Sequence, residues 1–255
     1  MRWNQTLAVL ALAAAPLAAQ TAQTPTLDQI LDKHFEAMGG KDKIAAIQSA
    51  KLDIKQVFGP QEVPATIIWE RPNKIRMEFT LQGMTGIQAY DGTSAWQVMP
   101  FLGKNDPEQV TGDDLKDIVQ NADLIEGPLY NWKEKGHKVE LLGEETVEGT
   151  PAWKLHLVRK DGDEETIWLD KDAYVEIKSE ATRTRGDKQV QFESSYGDYK
   201  EVQGLLFPFT ISQKVKGTDQ GGTITVNSIE IDPKLDEAIF TMPAKKAEAP
   251  AGGKG

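Results

Sequence analysis

The spacing of apolar side chains divides the chain into a few short helical stretches and a long run of strands. Leu27, Ile30, Leu31, His34, Phe35 and Met38 recur at three- and four-residue intervals, which puts them on one side of a helix. Thr26 and Gln29 make a T-x-x-Q capping box at its start. Gly39-Gly40 supplies the stop, because glycine reaches the left-handed backbone that ends helices. The expected helix is Leu27–Met38, followed by a short helical turn over Lys41–Ile47. A second helical stretch opens with a T-x-x-D box at Thr111 and Asp114 and aligns Leu115, Ile118, Val119 and Ala122 on one face.

Elsewhere the period is two. Ile75, Met77, Phe79 and Leu81 alternate with Lys74, Arg76, Glu78 and Thr80, the pattern of a half-buried strand. Ile87–Val98 reads as a hairpin turned at Asp91-Gly92. From His137 to Ile231, strand alternates with turn, the turns marked by Glu148-Gly149, Asp161-Gly162 and Gln203-Gly204 among others. Ten or eleven strands are predicted, and connections this short make neighbours antiparallel. No linker interrupts them, so residues 21–243 form one domain. A sheet so wide must curl or split to bury a face. With too few helices to cover it flat, the expectation is a mainly β, single-domain, incomplete antiparallel barrel with a helical lid or plug on its concave face.

The ends read differently. Arg2 precedes an apolar run of 13 residues, Leu7–Ala19, with small residues after it. That is the form of a secretory signal peptide, here residues 1–20, and it is too short to span a bilayer. Residues 244–255 are Ala, Gly, Lys and Pro without periodicity, which predicts a disordered tail. There is no cysteine, so disulfides, thiol chemistry and lipid anchoring through cysteine are excluded. A net charge of −10 speaks against a nucleic-acid partner.

Chemistry is sparse. No nucleophile elbow, phosphate loop, dinucleotide fingerprint or H-E-x-x-H occurs. His34, His137 and His156 lack metal-ligand spacing, and His34 reads as a hydrogen-bonded core histidine. The acidic clusters Asp113-Asp114, Asp161–Glu165 and Asp170–Asp172 fall at helix starts and turns, where aspartate binds nearby backbone N–H groups. Glu176 and Glu180 flank Lys178 and read as one exposed strand face. No catalytic residue, metal or cofactor is expected. What stands out is an apolar series: Ile75, Met77, Phe79, Leu81, Met84, Trp96, Met99 and Phe101. Methionine adapts to variable apolar shapes, so the series is either plain core or the lining of a cavity for acyl chains.

Several motifs in order resemble a known family. They are H-F-E-A-M-G-G (His34–Gly40), Y-D-G-T-S-A-W (Tyr90–Trp96), W-K-E-K-G-H-K-V-E-L (Trp132–Leu141) and V-E-G-T-P-A-W-K-L (Val147–Leu155). G-L-L-F-P-F (Gly204–Phe209) and L-D-E-A-I-F-T-M-P (Leu235–Pro243) complete them. Together the sequence resembles the bacterial outer-membrane lipoprotein-sorting, LolA-like proteins. The resemblance implies an incomplete barrel with a helical lid over a hydrophobic cavity, and a periplasmic carrier that shields the acyl chains of a lipid or lipoprotein. Envelope membrane proteins would then be partners for loading and delivery. The alternative it leaves open is a module of the same fold that contacts or senses envelope components. On the carrier reading, Ile75, Met77, Phe79, Leu81, Met84, Trp96, Met99 and Phe101 line the cavity. Leu31, Phe35, Met38, Leu115, Ile118 and Val119 belong to the lid, hinged at Gly39-Gly40 and Gly127-Pro128.

Overall fold

The computed structural model describes residues 24–244. The leader expected at 1–20 lies outside the described residues, as does the tail expected at 244–255 apart from Ala244. Helix α1 (Leu27–Ala37) starts at its capping box: the Gln29 N–H donates to Thr26 Oγ1, and the Thr26 N–H donates to Gln29 Oε1. It stops where expected, with Gly39 and Gly40 at φ of 112° and 99°. A side chain at Gly39 would also strike the Gly204 carbonyl, so this corner docks tightly on a distant turn. Helix α2 (Lys41–Ala46) follows. Helix α3 (Gly112–Asn121) forms, but its T-x-x-D box does not: Thr111 makes no capping hydrogen bond. Asp113, one of two acids in that first turn, accepts instead from the Gly186 N–H across the fold.

The strands are β1 (Ser49–Phe58), β2 (Gln61–Glu70), β3 (Lys74–Leu81), β4 (Met84–Tyr90), β5 (Ala95–Met99), β6 (Lys104–Val110), β7 (Lys138–Val147), β8 (Thr150–Val158), β9 (Glu164–Asp170), β10 (Glu176–Arg185), β11 (Lys188–Val202), β12 (Leu205–Val215) and β13 (Gly221–Ile231). All pair antiparallel in one sheet of order β6-β5-β4-β3-β2-β1-β13-β12-β11-β10-β9-β8-β7. Two meanders, β1–β6 and β7–β13, thus meet at a β1–β13 seam in the middle, and the edges β6 and β7 are not paired with each other. The barrel is not closed.

Thirteen strands form where ten or eleven were expected, and proline explains the shortfall. β2 carries Pro64 and β6 carries Pro107, and proline removes a ladder donor. The fold tolerates each by removing a neighbour. Pairing of β2 with β3 ends at Ala65, so Pro64 faces only β1. Pro107 lies on the edge strand beside an irregularity in its register with β5. Pro208 in β12 and Pro151 in β8 likewise sit where one of their two neighbours has dropped away.

A flat sheet of this size would be about 60 Å wide, and an 11-residue helix is about 16 Å long. Yet Ile30, Leu31 and Phe35 of α1 share one contiguous core with Ile75 of β3, Ala95 of β5, Leu155 of β8 and Leu169 of β9. Only a strongly rolled sheet brings those residues together. The two meanders are the walls of a trough, and α1 lies in it.

Candidate functional site

Register assigns the inner face of the trough. Trp69, Ile75, Tyr90 and Ala95 are cross-strand neighbours, as are Ile67, Met77 and Gln88. On the second wall Trp153 and Leu169, Leu155 and Ile167 do the same. Apolar side chains line both walls, and α1 covers them with Ile30, Leu31 and Phe35. The Phe35 ring meets Tyr130 edge-on at 5.6 Å. His34 is the expected core histidine: its Nδ1 lies 2.8 Å from the Tyr174 carbonyl, and burial holds its pKa below the usual imidazole value.

The segment from β6 through α3 to β7 straps the open side. The Trp69 indole N–H donates to the Ala122 carbonyl, fixing the end of α3 to the first wall. Its other attachments reach the second wall. Lys116 pairs with Asp163, Gln120 donates to both Asp161 and Asp163, and Arg185 pairs with Asp117. Arg71 bonds the carbonyls of Ile44 and Ile47 and also pairs with Glu126, so one guanidinium joins α2 to the strap.

The structure brings together part of the expected lining. Ile75 is buried in the core, with Met77 and Phe79 half-buried against it on the same face. Phe101 joins them, its ring 5.6 Å from Phe79, and both rings fill the space that a side chain at Gly86 would need. Leu81 is half-buried at the strand end, and Met84 is 37% exposed. Met99 is buried outside this core cluster. Trp96 is not brought to the trough. It shares a row with Arg76 and Ala89, one residue out of phase with Ile75, so it points to the outer face. There its indole N–H donates to the Phe240 carbonyl, and Arg76 donates to Ile239, under the C-terminal turn Glu237–Phe240. Among the lid residues, Leu31, Phe35 and Ile118 are buried and Met38 and Leu115 are half-buried against the core, while Val119 is 39% exposed.

Sequence reasoning missed a polar patch on the second wall. An irregularity between Glu176 and Lys178 shifts the register, so Glu176 leaves the face it was expected to share with Glu180. Glu180 pairs outside with Lys178 and Lys216. Glu176 turns inward beside Glu165; burial, then the Glu165 charge, pushes its carboxyl up to about 8. Its Oε1 is buried without a hydrogen-bond partner. Tyr196 hydrogen-bonds Ser179 beside it, and the Tyr199 hydroxyl donates to the Glu176 carbonyl. Asp163, expected in a solvated turn, is only 2% exposed. Burial raises its pKa, but hydrogen bonds from Lys116, Gln120 and the Thr184 N–H outweigh that and hold it low. Acidic side chains bracketing Arg159 were the available signal, since Arg159 pairs with Glu165 inside the wall.

Among the described residues, clefts of 160, 400, 220, 500 and 230 Å³ indent the surface, and none of these is lined by Ile75, Met77 or Phe79. No group of metal-ligating side chains occurs among the described residues, and no helix there is long and apolar enough to cross a membrane.

A candidate outer membrane lipoprotein-sorting protein domain from Vibrio parahaemolyticus has a similar structure, with a TM-score of 0.59 and 14% identity over 83% of this chain and 94% of that one. A LolA superfamily protein from Nitrosomonas europaea gives 0.59 and 14% over 86% and 98%. A DUF1329 family protein from Desulfovibrio piger gives 0.56 and 13% over the same shares, 86% and 98%. No curated protein matches by sequence. A family model described as "Uncharacterized protein" matches residues 66–244. The chain belongs to the family of that model, and its fold is that of the LolA superfamily protein.

Proposed function

We propose that the protein is a soluble periplasmic carrier that shields the acyl chains of a lipid or lipoprotein against the inner face of the trough. The observation that carries this reading is the rolled, unclosed sheet whose apolar inner face is covered by a separate helix instead of by a second sheet. The likeness in fold to a candidate lipoprotein-sorting domain supports it. An acyl chain in water costs about 0.8 kcal/mol per CH₂, so a carrier must offer comparable burial. In the present state α1 supplies that burial to the walls itself. Loading therefore exchanges Leu31 and Phe35 for the ligand, with Ile75, Met77, Phe79 and Phe101 as its lining. Trp96, on the outer face, takes no part. The role is binding, with no catalytic step.

One observation favours the alternative of a module that contacts or senses envelope components: α1 fills the trough in this state. The two readings part in one experiment. Protein purified from its native envelope is extracted and its lipids identified by mass spectrometry, and uptake of a fluorescent fatty acid is followed through tryptophan quenching. A carrier yields co-purifying acylated ligand and saturable uptake, and Phe35→Ala speeds that uptake. Absence of both ligand and uptake leaves the contact module.

A further inference from the structure

The 220 Å³ cleft lies where the two walls approach each other under the strap. The β2–β3 turn at Pro72-Asn73 closes it on one side, and the β8–β9 turn at Arg159–Asp161 on the other. Residues after α3 and before β7 make the back. At about 30 Å³ for each water in the liquid, it has room for a phosphate- or carboxylate-sized group and its hydration.

The ionisable side chains of this cleft divide into satisfied acids and basic groups. Asp123 pairs with Lys135, Glu126 with Lys135 and Arg71, and Asp161 accepts from Gln120. The remaining ionisable groups are Arg159, Lys160 and His137. Arg159 lines the cleft at 9% exposure and uses Nη2 on Glu165; its partnerless Nε–H is buried, so it contributes positive charge to the cleft, not a free donor. Lys160 is exposed, and its ammonium makes no ion pair among the described residues. His137 accepts the Lys160 backbone N–H at Nδ1, which fixes the neutral ring with its proton on Nε2. Burial and then the Arg159 charge hold that ring's pKa below the usual imidazole value. A wall whose acids are committed and whose free groups are N–H donors complements an anion with several acceptor oxygens.

We propose that the cleft of His137, Arg159 and Lys160 is a binding site for a phosphate- or carboxylate-type anion, separate from the apolar trough. The same chemistry serves a free anion or the acidic headgroup of a lipid. The site does not depend on the carrier reading, since it uses none of the residues that line the trough.

The test is a titration of the full chain followed by NMR, reading the His137 ring and the Lys160 amide. Inorganic phosphate is one probe and dihexanoyl phosphatidic acid, below its micelle concentration, is the other. Saturable shifts confined to this cleft are expected. Lys160→Glu weakens binding at least about fivefold, whereas Lys188→Glu, an equal charge change on the exposed start of β11, does not. Equal affinity for the two probes identifies a free anion as the ligand. Tighter binding of the phosphatidic acid identifies a headgroup. Both positions are exposed, so neither variant threatens the fold. No saturable shift with either probe, or equal weakening by the two variants, overturns the proposal.

Discussion

Glu176 shows how one extra residue in a strand changes the chemistry of a side chain. Read by strict alternation, it belongs beside Glu180 in water; the irregularity before Lys178 rotates it into the wall, next to Glu165. Its carboxyl, raised from the ordinary 4.5 to about 8, holds a proton in the folded chain that the unfolded chain has already released. Stability should therefore fall as pH rises through that window and level off above it. Glu176→Gln has no proton to hold. It should match the wild type in urea denaturation near pH 4.5 and exceed it by about 1–2 kcal/mol above pH 8. Sequence could not reveal this, because Val175 and Ile177 on either side keep the alternation regular, and the shift shows only in the pairing with β9. His34 is legible for the opposite reason: its helical face is otherwise apolar, so periodicity alone turns its ring toward the core.

Among the elements, α1 was readable to within a residue because its cap, its stripe and its glycine stop agree. β2 and β6 were hidden by prolines whose cost the topology removes by leaving them a single neighbour. Helix α3 was found, yet its attachments were not, since they join residues far apart in the chain. Its hold on the second wall rests on Lys116, Asp117 and Gln120. Lys116→Met keeps the aliphatic stem and leaves Asp163, buried, short of its nearest cation. We expect a loss of about 1–2 kcal/mol, with hydrogen exchange rising in Gly112–Asn121 well ahead of β3–β5. Uniform acceleration across the sheet would show instead that the strap and walls open as one unit. The apolar series divides for the same reason of register. Ile75, Met77 and Phe79 share a face by alternation alone, whereas the side on which Trp96 falls depends on its pairing with Ala89 and on the C-terminal turn that covers it.

For the molecule as a whole, the order of the strands has a kinetic consequence. Every hydrogen-bonded pair but one joins strands that are consecutive in the chain; the exception is β1 with β13, more than 160 residues apart, as in Ala50 with Ile231. Loop closure over such a span is slow relative to hairpin formation. Refolding should accordingly build two independent ribbons first and zip them together afterwards. In pulse-labelling, amides of β3–β5 and β8–β10 should gain protection before those of Ser49–Phe58 and Gly221–Ile231. A newly made chain would then emerge with its first ribbon formed and its central edge bare until the last strand is synthesised. During that interval β1 is a template open to any other strand, in its own chain or in a neighbouring copy.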